Sequence, residues 1–173
     1  MGPSRTSRAP TWESTYCEFF HARQRGFMRT SYAILGSWAA AEDATQTTFT
    51  QLYVHWPRIR SETRDAYARR VLVNTCLAAA RSRRRELVVD EVPDRAADPA
   101  PYDERLDLIA ALRSLPVRDR AVLALRFLDD LPVAAVADAL RLPEGTVKSQ
   151  TARALERLHA LLASPQETHH DHR

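Results

Sequence analysis

A segment rich in proline and acidic residues interrupts the helical pattern of this chain once, at residues 86–102. It contains three prolines and five acidic residues against a single arginine. Since proline cannot continue a helix and like charges repel, this composition favours an extended linker over a packed element. The segment therefore divides the 173 residues into two modules, each of which can bury only a small hydrophobic core.

Apolar residues recur at helical spacing on both sides of this segment. Gly36 and Pro57 interrupt the spacing in the first module, whereas Pro116, Pro132 and Pro143 stand where a proline opens a helix or closes a loop in the second. No alternating pattern of useful length predicts a strand, so we expect an all-α fold. Helices are predicted at about 12–35, 38–56 and 63–85, and then at about 103–115, 117–128, 133–140 and 145–162.

The predicted organisation is two small helical domains joined by a flexible acidic linker. The first domain is expected at 12–85, the linker at 86–102 and the second domain at 103–162. Residues 1–11 and the histidine-rich residues 163–173 are expected to be disordered ends.

Several classes of function lack the residues that they need. The four glycines cannot form a phosphate-binding or dinucleotide-binding loop, and no hydrolase or metalloprotease motif occurs. Cys17 and Cys76 have no cysteine or histidine partner at the spacing of a zinc site. We therefore expect neither an enzyme nor a protein with a metal or another cofactor. No apolar run is long enough to cross a membrane or resembles an export signal, which predicts a cytoplasmic protein.

Charge is distributed unevenly along the chain. The formal net charge is only +3, from 25 basic and 22 acidic residues, and every basic residue except Lys148 is an arginine. Residues 1–85 carry 14 basic and 6 acidic residues, whereas residues 86–173 carry 11 and 16. The excess of positive charge in the first module favours contact with a polyanion such as nucleic acid.

Residues 133–158 follow the pattern of a short helix, a turn of about four residues and a longer helix. The longer helix is predicted to leave Lys148, Ser149 and Arg153 on its exposed side. Such a helix can enter the major groove of DNA and reach phosphates and base edges. An ordinary helical corner with a solvated face is the alternative. The apolar side is predicted to comprise Val147, Thr151, Ala154, Leu155, Leu158 and Leu162.

The third predicted helix carries a second stripe of residues that suit nucleic acid. Guanidinium groups can bind phosphates, a carboxamide can bind a base edge, and an aromatic ring can stack on a base. A solvated basic face is again the alternative. The stripe consists of Tyr67, Arg70, Asn74, Ala78, Arg81 and Arg85.

The second predicted helix has an exposed face that is polar but carries only one charge. Such a face fits a protein interface better than a nucleic-acid interface, although a plain solvated face remains the alternative. Its members are Asp43, Gln46, Thr47, Thr50 and Val54.

The chain contains five characteristic segments, AEDATQTTF at 41–49, AYARRVLVN at 66–74, SRRR at 82–85, LPVRDRAVLALRFLDDL at 115–131 and EGTVKSQTARAL at 144–155. In this order they resemble the extracytoplasmic function (ECF) sigma factors of RNA polymerase, in the style common among actinobacteria. The resemblance implies an alternative sigma factor. Such a protein binds core RNA polymerase, recognises the −35 and −10 elements of a promoter, and helps to melt DNA.

The resemblance also implies a role for each surface. The sigma-two domain would bind the clamp helices of the polymerase β′ subunit and the −10 element, and the sigma-four domain would bind the β flap and the −35 element. An anti-sigma factor is a further candidate partner. The residues implicated are Asp43, Gln46, Thr47 and Thr50 for polymerase, Arg58, Arg60, Tyr67, Arg70, Asn74 and Arg81 for the −10 element, and Thr146, Lys148, Ser149, Gln150 and Arg153 for the −35 element.

Several positions depart from the family's pattern. The family's segment AEDLVQE reads AEDATQT in this chain, so a leucine and an acid are lost and Thr45 is one of the altered positions. Ala78 stands where the family often has aspartate. Arg141 replaces a usual glycine in the helix-turn-helix, and Pro143 replaces a usual serine. These last two changes affect the turn and the cap of the recognition helix.

Two other classes of protein could use the same features. A one-component helix-turn-helix regulator would bind duplex DNA tightly by itself, usually as a dimer. An α-helical adaptor would use these surfaces for proteins only. Specific promoter binding and transcription that require core polymerase distinguish a sigma factor from both.

Overall fold

The structure is a computed structural model that describes residues 11–89 and 104–163. Every regular element within these two ranges is helical, which confirms the all-α prediction. Two 3-10 turns (Trp56–Arg58 and Ser61–Thr63) join the second helix to the third, and a π-helical turn (Ala124–Leu128) extends the fifth. The helices are α1 (Trp12–Leu35), α2 (Trp38–His55), α3 (Arg64–Val89), α4 (Glu104–Ser114), α5 (Val117–Leu123), α6 (Val133–Leu140) and α7 (Glu144–Ala163).

Side-chain caps and one glycine set the ends of the first two helices. The hydroxyl of Thr11 accepts a first-turn N–H of α1 at 3.3 Å, and the hydroxyl of Ser37 does the same for α2 at 3.4 Å. Between them, Gly36 adopts φ +70° and donates its N–H to the carbonyl of Tyr32. This left-handed residue ends α1 and lets α2 fold back along it.

Trp56 is the largest fully buried side chain in the part of the chain that the structure describes. It is 1% exposed, and its indole N–H donates to the hydroxyl of Thr15 at 3.0 Å. The guanidinium of Arg64 lies 4.6 Å from the centroid of the indole ring, and the ring centroids of Tyr16 and Phe19 lie 5.4 and 4.9 Å away. These contacts fasten the turn that follows α2 to α1, so the segment leading into α3 has a fixed anchor.

Three polar side chains are buried together between α1, α2 and α3. The hydroxyl of Thr45 donates to Oγ of Ser31 at 3.1 Å, and the thiol of Cys76 donates to the same oxygen at 3.5 Å. Burial raises the pKa of Cys76 to about 11. The thiol therefore remains protonated at neutral pH and behaves as a small core residue.

Most buried apolar residues of the two modules form one contiguous cluster, and Leu115, Leu123 and Ala154 form a second, smaller one. Leu72 and Val73 of α3 belong to the same cluster as Leu125 and Val136 of the second module. α3 packs against α6, and α1 packs against α5. The predicted pair of small helical domains is present, but the two domains share a core, and each gains apolar contacts that it could not supply alone.

The second module contains the predicted helix-turn-helix, in which α6 and α7 pack through buried residues of both helices. Val136 of α6 and Val147 of α7 are 0% exposed, as is Ala154 about two turns further along α7. An ion pair of 2.5 Å between Asp119 and Arg157 joins α5 to α7. These contacts fix α7 relative to the rest of the module.

Three expectations about the helices are wrong in detail. α3 continues to Val89, so residues 86–89 are helical rather than extended, because each further residue of an established helix adds a hydrogen bond. The predicted helix at 117–128 is α-helical only to Leu123, because the backbone then widens into a π-helical turn that runs to Leu128. Leu155 and Leu162 are 37% and 46% exposed, because no element within residues 11–89 and 104–163 covers these two positions of α7 fully.

Part of the predicted organisation lies outside the described residues. This applies to most of the expected linker and to all but one residue of each expected disordered end, since residues 1–10, 90–103 and 164–173 are not described. Thr11 and Ala163 are described, as the cap of α1 and the last residue of α7. Among the described helices, none combines the length and apolarity needed to cross a lipid bilayer.

Arg141 ends α6 in the left-handed region, with φ +53° and ψ +49°. This conformation costs a non-glycine residue about 1–2 kcal/mol, and a glycine would avoid that cost. The greater freedom of glycine in the unfolded chain cancels about 0.4–1 kcal/mol of this gain in stability. We expect Arg141→Gly to raise the free energy of unfolding by roughly 0.5–1 kcal/mol in urea denaturation. Arg153→Gly, inside α7, is the control and should lower it by about 1 kcal/mol. A lower free energy of unfolding for Arg141→Gly would contradict the backbone strain inferred at this position.

Candidate nucleic-acid and protein interfaces

The four residues that the sequence assigned to polymerase binding lie together on the exposed side of α2. They share one shallow depression, and the opposite side of the helix is buried. One carboxylate among uncharged polar side chains makes this surface polar but weakly charged, which suits a protein partner. The depression is lined by Asp43, Gln46, Thr47, Thr50 and Gln51.

The departures from the family's AEDLVQE pattern fall mainly on the buried side of α2. Ala44 and Thr45 are 2% and 5% exposed, and the hydroxyl of Thr45 has a hydrogen-bond partner in Ser31. Thr47, which stands in place of a family acid, is exposed. The altered segment therefore changes the core at two positions and removes one negative charge from the candidate docking face.

A wider cleft between α1 and α2 borders this face, and sequence patterns did not point to it. Its volume is about 620 Å³. Trp38, at its edge, is 59% exposed and stacks on Tyr32 with the ring centroids 4.0 Å apart. An exposed tryptophan is a signal that could have found this cleft, because aromatic residues are enriched at protein interfaces. Other lining residues are Phe20, Gln24, Arg25, Met28, Arg29 and Glu42.

Two of the arginines assigned to the −10 element, Arg58 and Arg60, are exposed in the turns before α3. Nε of Arg60 lies 3.8 Å from a carboxylate oxygen of Glu62, and both side chains are well exposed. A backbone hydrogen bond and the hydroxyl of Ser61 lower the pKa of Glu62. Since an exposed pair of this kind is weak, the guanidinium of Arg60 remains available to a phosphate.

The other residues assigned to the −10 element share one side of α3. Asn74 and Arg81 are exposed, whereas Tyr67 and Arg70 are half-buried. Arg70 is engaged within the chain, because its Nη2 lies 2.6 Å from Oδ1 of Asp138 on α6. The structure thus places the residues of the predicted stripe on one side of α3, but one of them, Arg70, is already paired with Asp138.

The residues assigned to the −35 element lie in the N-terminal half of α7. Lys148, Ser149 and Arg153 are exposed, and Thr146 and Gln150 are half-buried. Oγ of Ser149 donates to the carbonyl of Thr146 at 3.0 Å, and Nε of Arg153 donates to the carbonyl of Ser149 at 3.3 Å. Three exposed polar side chains are therefore presented by the N-terminal half of α7.

One cleft of about 100 Å³ brings residues of the two nucleic-acid sets together. Asn74 and Arg81 of α3 face Gln150 of α7 across it, and Arg118 of α5 also lines it. Oε1 of Gln150 is buried with no hydrogen-bond partner among the described residues. The sequence did not point to Arg118 or Asp138 as site residues, because helical periodicity is read within one helix and does not show which residues of the other module lie nearby.

An apolar groove of about 350 Å³ opens between α1, α4, α5 and α7, and it too was not predicted. Phe127 is 59% exposed at its edge, and Leu108 and Leu155 are 40% and 37% exposed. So many exposed apolar side chains in one place indicate a docking surface. The rest of its apolar lining consists of Ala33, Leu112, Leu123, Ala124, Leu128 and Leu158.

Two helical modules, each with an exposed face of basic and other polar side chains, define a two-domain nucleic-acid-binding protein. A family model described as Sigma-70 region 2 matches residues 19–86, and one described as Sigma-70, region 4 matches residues 105–158. These matches coincide with the two modules.

Known proteins with a similar sequence or fold are sigma factors. The chain is 32% identical to the RNA polymerase sigma-E factor of Streptomyces avermitilis, over 85% of this chain and 84% of the relative. It is 31% identical to the ECF RNA polymerase sigma factor SigE of Mycolicibacterium smegmatis, over 89% of this chain and 62% of the relative. The fold is similar to that of the sigma factor RpoE, solved in complex with the anti-sigma factor NepR from Bartonella quintana. That match has a TM-score of 0.73 at 21% identity, over 88% of this chain and 99% of that one. The chain belongs to the ECF sigma factors of RNA polymerase and is an alternative sigma factor for transcription initiation.

Proposed function

We propose that the exposed side of α2 binds the clamp helices of the polymerase β′ subunit, that α3 with the preceding turns binds the −10 element, and that α7 reads the −35 element. One observation carries the proposal: the residues assigned to each partner share one side of one helix or its adjoining turns. A single rigid partner can therefore contact each set at once.

The −10 face has the groups needed to hold a melted strand. Arg58, Arg60 and Arg81 can neutralise phosphates, Asn74 can bond to a base edge, and Tyr67 can stack on a base. Unstacking one base costs a few kcal/mol, which stacking of about 1–3 kcal/mol per base and phosphate contacts can offset. Melting on this face requires binding energy alone, so the sigma factor acts without a catalytic group of its own.

The apolar groove is proposed to receive an apolar segment of the polymerase β flap. Its exposed leucines and Phe127 would lose contact with water on binding, which contributes about 25 cal/mol for each Å² of apolar area covered. This contact would hold the sigma-four domain at the distance from the sigma-two domain that the promoter sets. The protein would then work in the cytoplasm, together with the polymerase.

An anti-sigma factor is a further proposed partner. The RpoE structure with a similar fold was solved in complex with the anti-sigma factor NepR. A protein that covered the α2 face or the apolar groove of this chain would compete with polymerase for it.

Run-off transcription with purified full chain, core polymerase and promoter DNA tests the function. We expect a specific transcript that neither protein gives alone, and permanganate-reactive thymines near the −10 element. Asn74→Ala should lower the transcript roughly 5- to 150-fold, which corresponds to about 1–3 kcal/mol for a lost base contact. His21→Ala, on the exposed side of α1, is the control and should have little effect.

Tight, specific operator binding without polymerase would contradict the proposal and favour a one-component regulator. Absence of DNA binding both with and without polymerase would favour an α-helical adaptor instead.

A further inference from the structure

The apolar groove between α1, α4, α5 and α7 has a partly buried arginine, Arg120, in its wall. We propose that this groove binds a small amphiphilic carboxylate of the fatty-acid class, with the aliphatic chain against the leucines and the carboxylate at Arg120. The proposed function needs no such ligand, so the inference goes beyond it. One consequence, competition between the ligand and the β flap, rests on the role proposed above for the groove.

The groove has the size and the lining of a small-molecule site. Its volume of about 350 Å³ lies within the range of about 300–1,000 Å³ that is usual for ligand pockets, and clefts between packed helices are common places for them. Leucines of three helices and the ring of Phe127 form most of the wall. Apart from Ala33 of α1, every lining residue belongs to the second module, which therefore supplies nearly the whole site.

Arg120 is the one charged residue among those that line the groove. Its Nε is buried with no hydrogen-bond partner, and its guanidinium has no carboxylate partner, within the described part of the chain. Burial and the neighbouring charge of Arg113 lower the pKa of Arg120. Since a guanidinium in a protein keeps its proton, the wall contains a cation without a counterion, which is unfavourable until an anion binds.

Arg113 of α4 brings a second guanidinium close to the first. The Cβ that Gly36 lacks would lie 3.3 Å from Nη1 of Arg120 and 3.4 Å from Nε of Arg113, so both groups approach the same end of α1. Nη2 of Arg113 donates to the hydroxyl of Tyr32 at 3.1 Å, a contact that leaves its charge unbalanced. Two like charges side by side repel, and a bound carboxylate would offset this repulsion.

Charge and apolar surface together select the class of ligand. A carboxylate can accept two hydrogen bonds from one guanidinium. An aliphatic chain would cover Phe127, Leu108 and Leu155, which are 59%, 40% and 37% exposed. A purely apolar segment would leave Arg120 without a counterion, and a small inorganic anion would leave the leucines in water. A ligand that joins a carboxylate to an aliphatic chain satisfies both parts of the groove.

Isothermal titration calorimetry of the purified full chain with sodium octanoate and sodium decanoate tests the site. We expect one ligand per chain and an affinity that rises about fourfold for each added methylene while the chain still fits the groove. 1-Octanol has an aliphatic chain of the same length but no charge, so it should bind about tenfold more weakly than octanoate. Polymerase and DNA are absent from this measurement, which makes its result independent of the proposed function.

Three variants locate the two parts of the ligand. Arg120→Gln should weaken octanoate about tenfold and leave 1-octanol unchanged, because it removes the charge alone. Arg118→Gln is the matched control, since this exposed arginine of the same helix lines a different cleft, and it should change neither affinity. Phe127→Ala, at an exposed position where the fold tolerates truncation, should weaken both ligands at least threefold.

Failure of octanoate to bind at millimolar concentration would overturn the site. Equal affinities for octanoate and 1-octanol, or equal losses in Arg120→Gln and Arg118→Gln, would overturn the role of Arg120, which would then serve only the end of α1. Several ligands per chain, with affinities unchanged in Phe127→Ala, would mean adsorption to the surface and would also overturn the site.

Run-off transcription separates the site from the proposed role of the groove. Decanoate should reduce the transcript given by the unaltered chain, and Arg120→Gln should require about tenfold more decanoate for the same reduction. Calorimetric binding with no effect on the transcript would count against the contact with the β flap and leave the ligand site intact. Absence of any transcript before decanoate is added would count against the promoter function, again without bearing on the ligand site.

Discussion

Replacement of Trp56 by alanine is expected to lower the free energy of unfolding by about 3–5 kcal/mol. The side chain is 1% exposed, donates a hydrogen bond to Thr15 and packs beneath the guanidinium of Arg64. Truncation removes all of these contacts and leaves a cavity. Since small proteins have only about 5–15 kcal/mol of stability in total, the loss is a large fraction of it. Urea denaturation followed by circular dichroism measures the change.

Trp38 provides the matched control for this substitution. It is 59% exposed and rests on Tyr32, so Trp38→Ala should change the free energy of unfolding by no more than about 1 kcal/mol. A comparable loss in both variants would mean that Trp56 does not anchor the core as its burial indicates.

Combined replacement of Lys148 and Arg153 by alanine is expected to abolish useful recognition of the −35 element. Each base-reading contact contributes about 1–3 kcal/mol, so the loss of both corresponds to roughly 30-fold to more than 10⁴-fold in affinity. Both side chains are exposed on α7, away from the α2 face. Competition between promoter fragments with an intact or a scrambled −35 element, bound by the reconstituted holoenzyme, measures this loss.

Binding to core polymerase should survive this double substitution, and His159→Ala, further along α7, should leave both activities intact. Lost polymerase binding would mean that the roles of the two domains are misassigned. An equal loss on both fragments, with a weaker salt dependence, would identify the two residues as phosphate contacts rather than base readers.

The sequence predicted the helices well because their apolar residues recur with the helical period. The interval 133–140, between Pro132 and Arg141, is found as α6 with the same ends. Projection onto a helix also identified which side chains of α7 share a side. It could not show whether another element covers each position on that side. Leu155 and Leu162 were therefore predicted to be apolar contacts but are exposed.

Contacts between the modules could not be predicted from local patterns. Arg70 and Asp138 are 68 positions apart, and Thr30 and Asp129 are 99 positions apart. Each residue alone resembles an ordinary surface or helix-end residue. Their pairing depends on the packing of α3 on α6 and of α1 on the second module, which periodicity within one helix does not specify.

Lys148 is the single lysine beside the 24 arginines of these 173 residues, and it lies exposed in α7, the helix that we propose reads the −35 element. Arginine does not react with reagents that acylate amines at neutral pH, so apart from the amino terminus such reagents have one target in this chain. Acylation would remove the positive charge of that side chain. If promoter DNA protects the amine of Lys148 from acylation, mass spectrometry would detect the unmodified lysine. This protection would report occupancy of the −35 element without any engineered label.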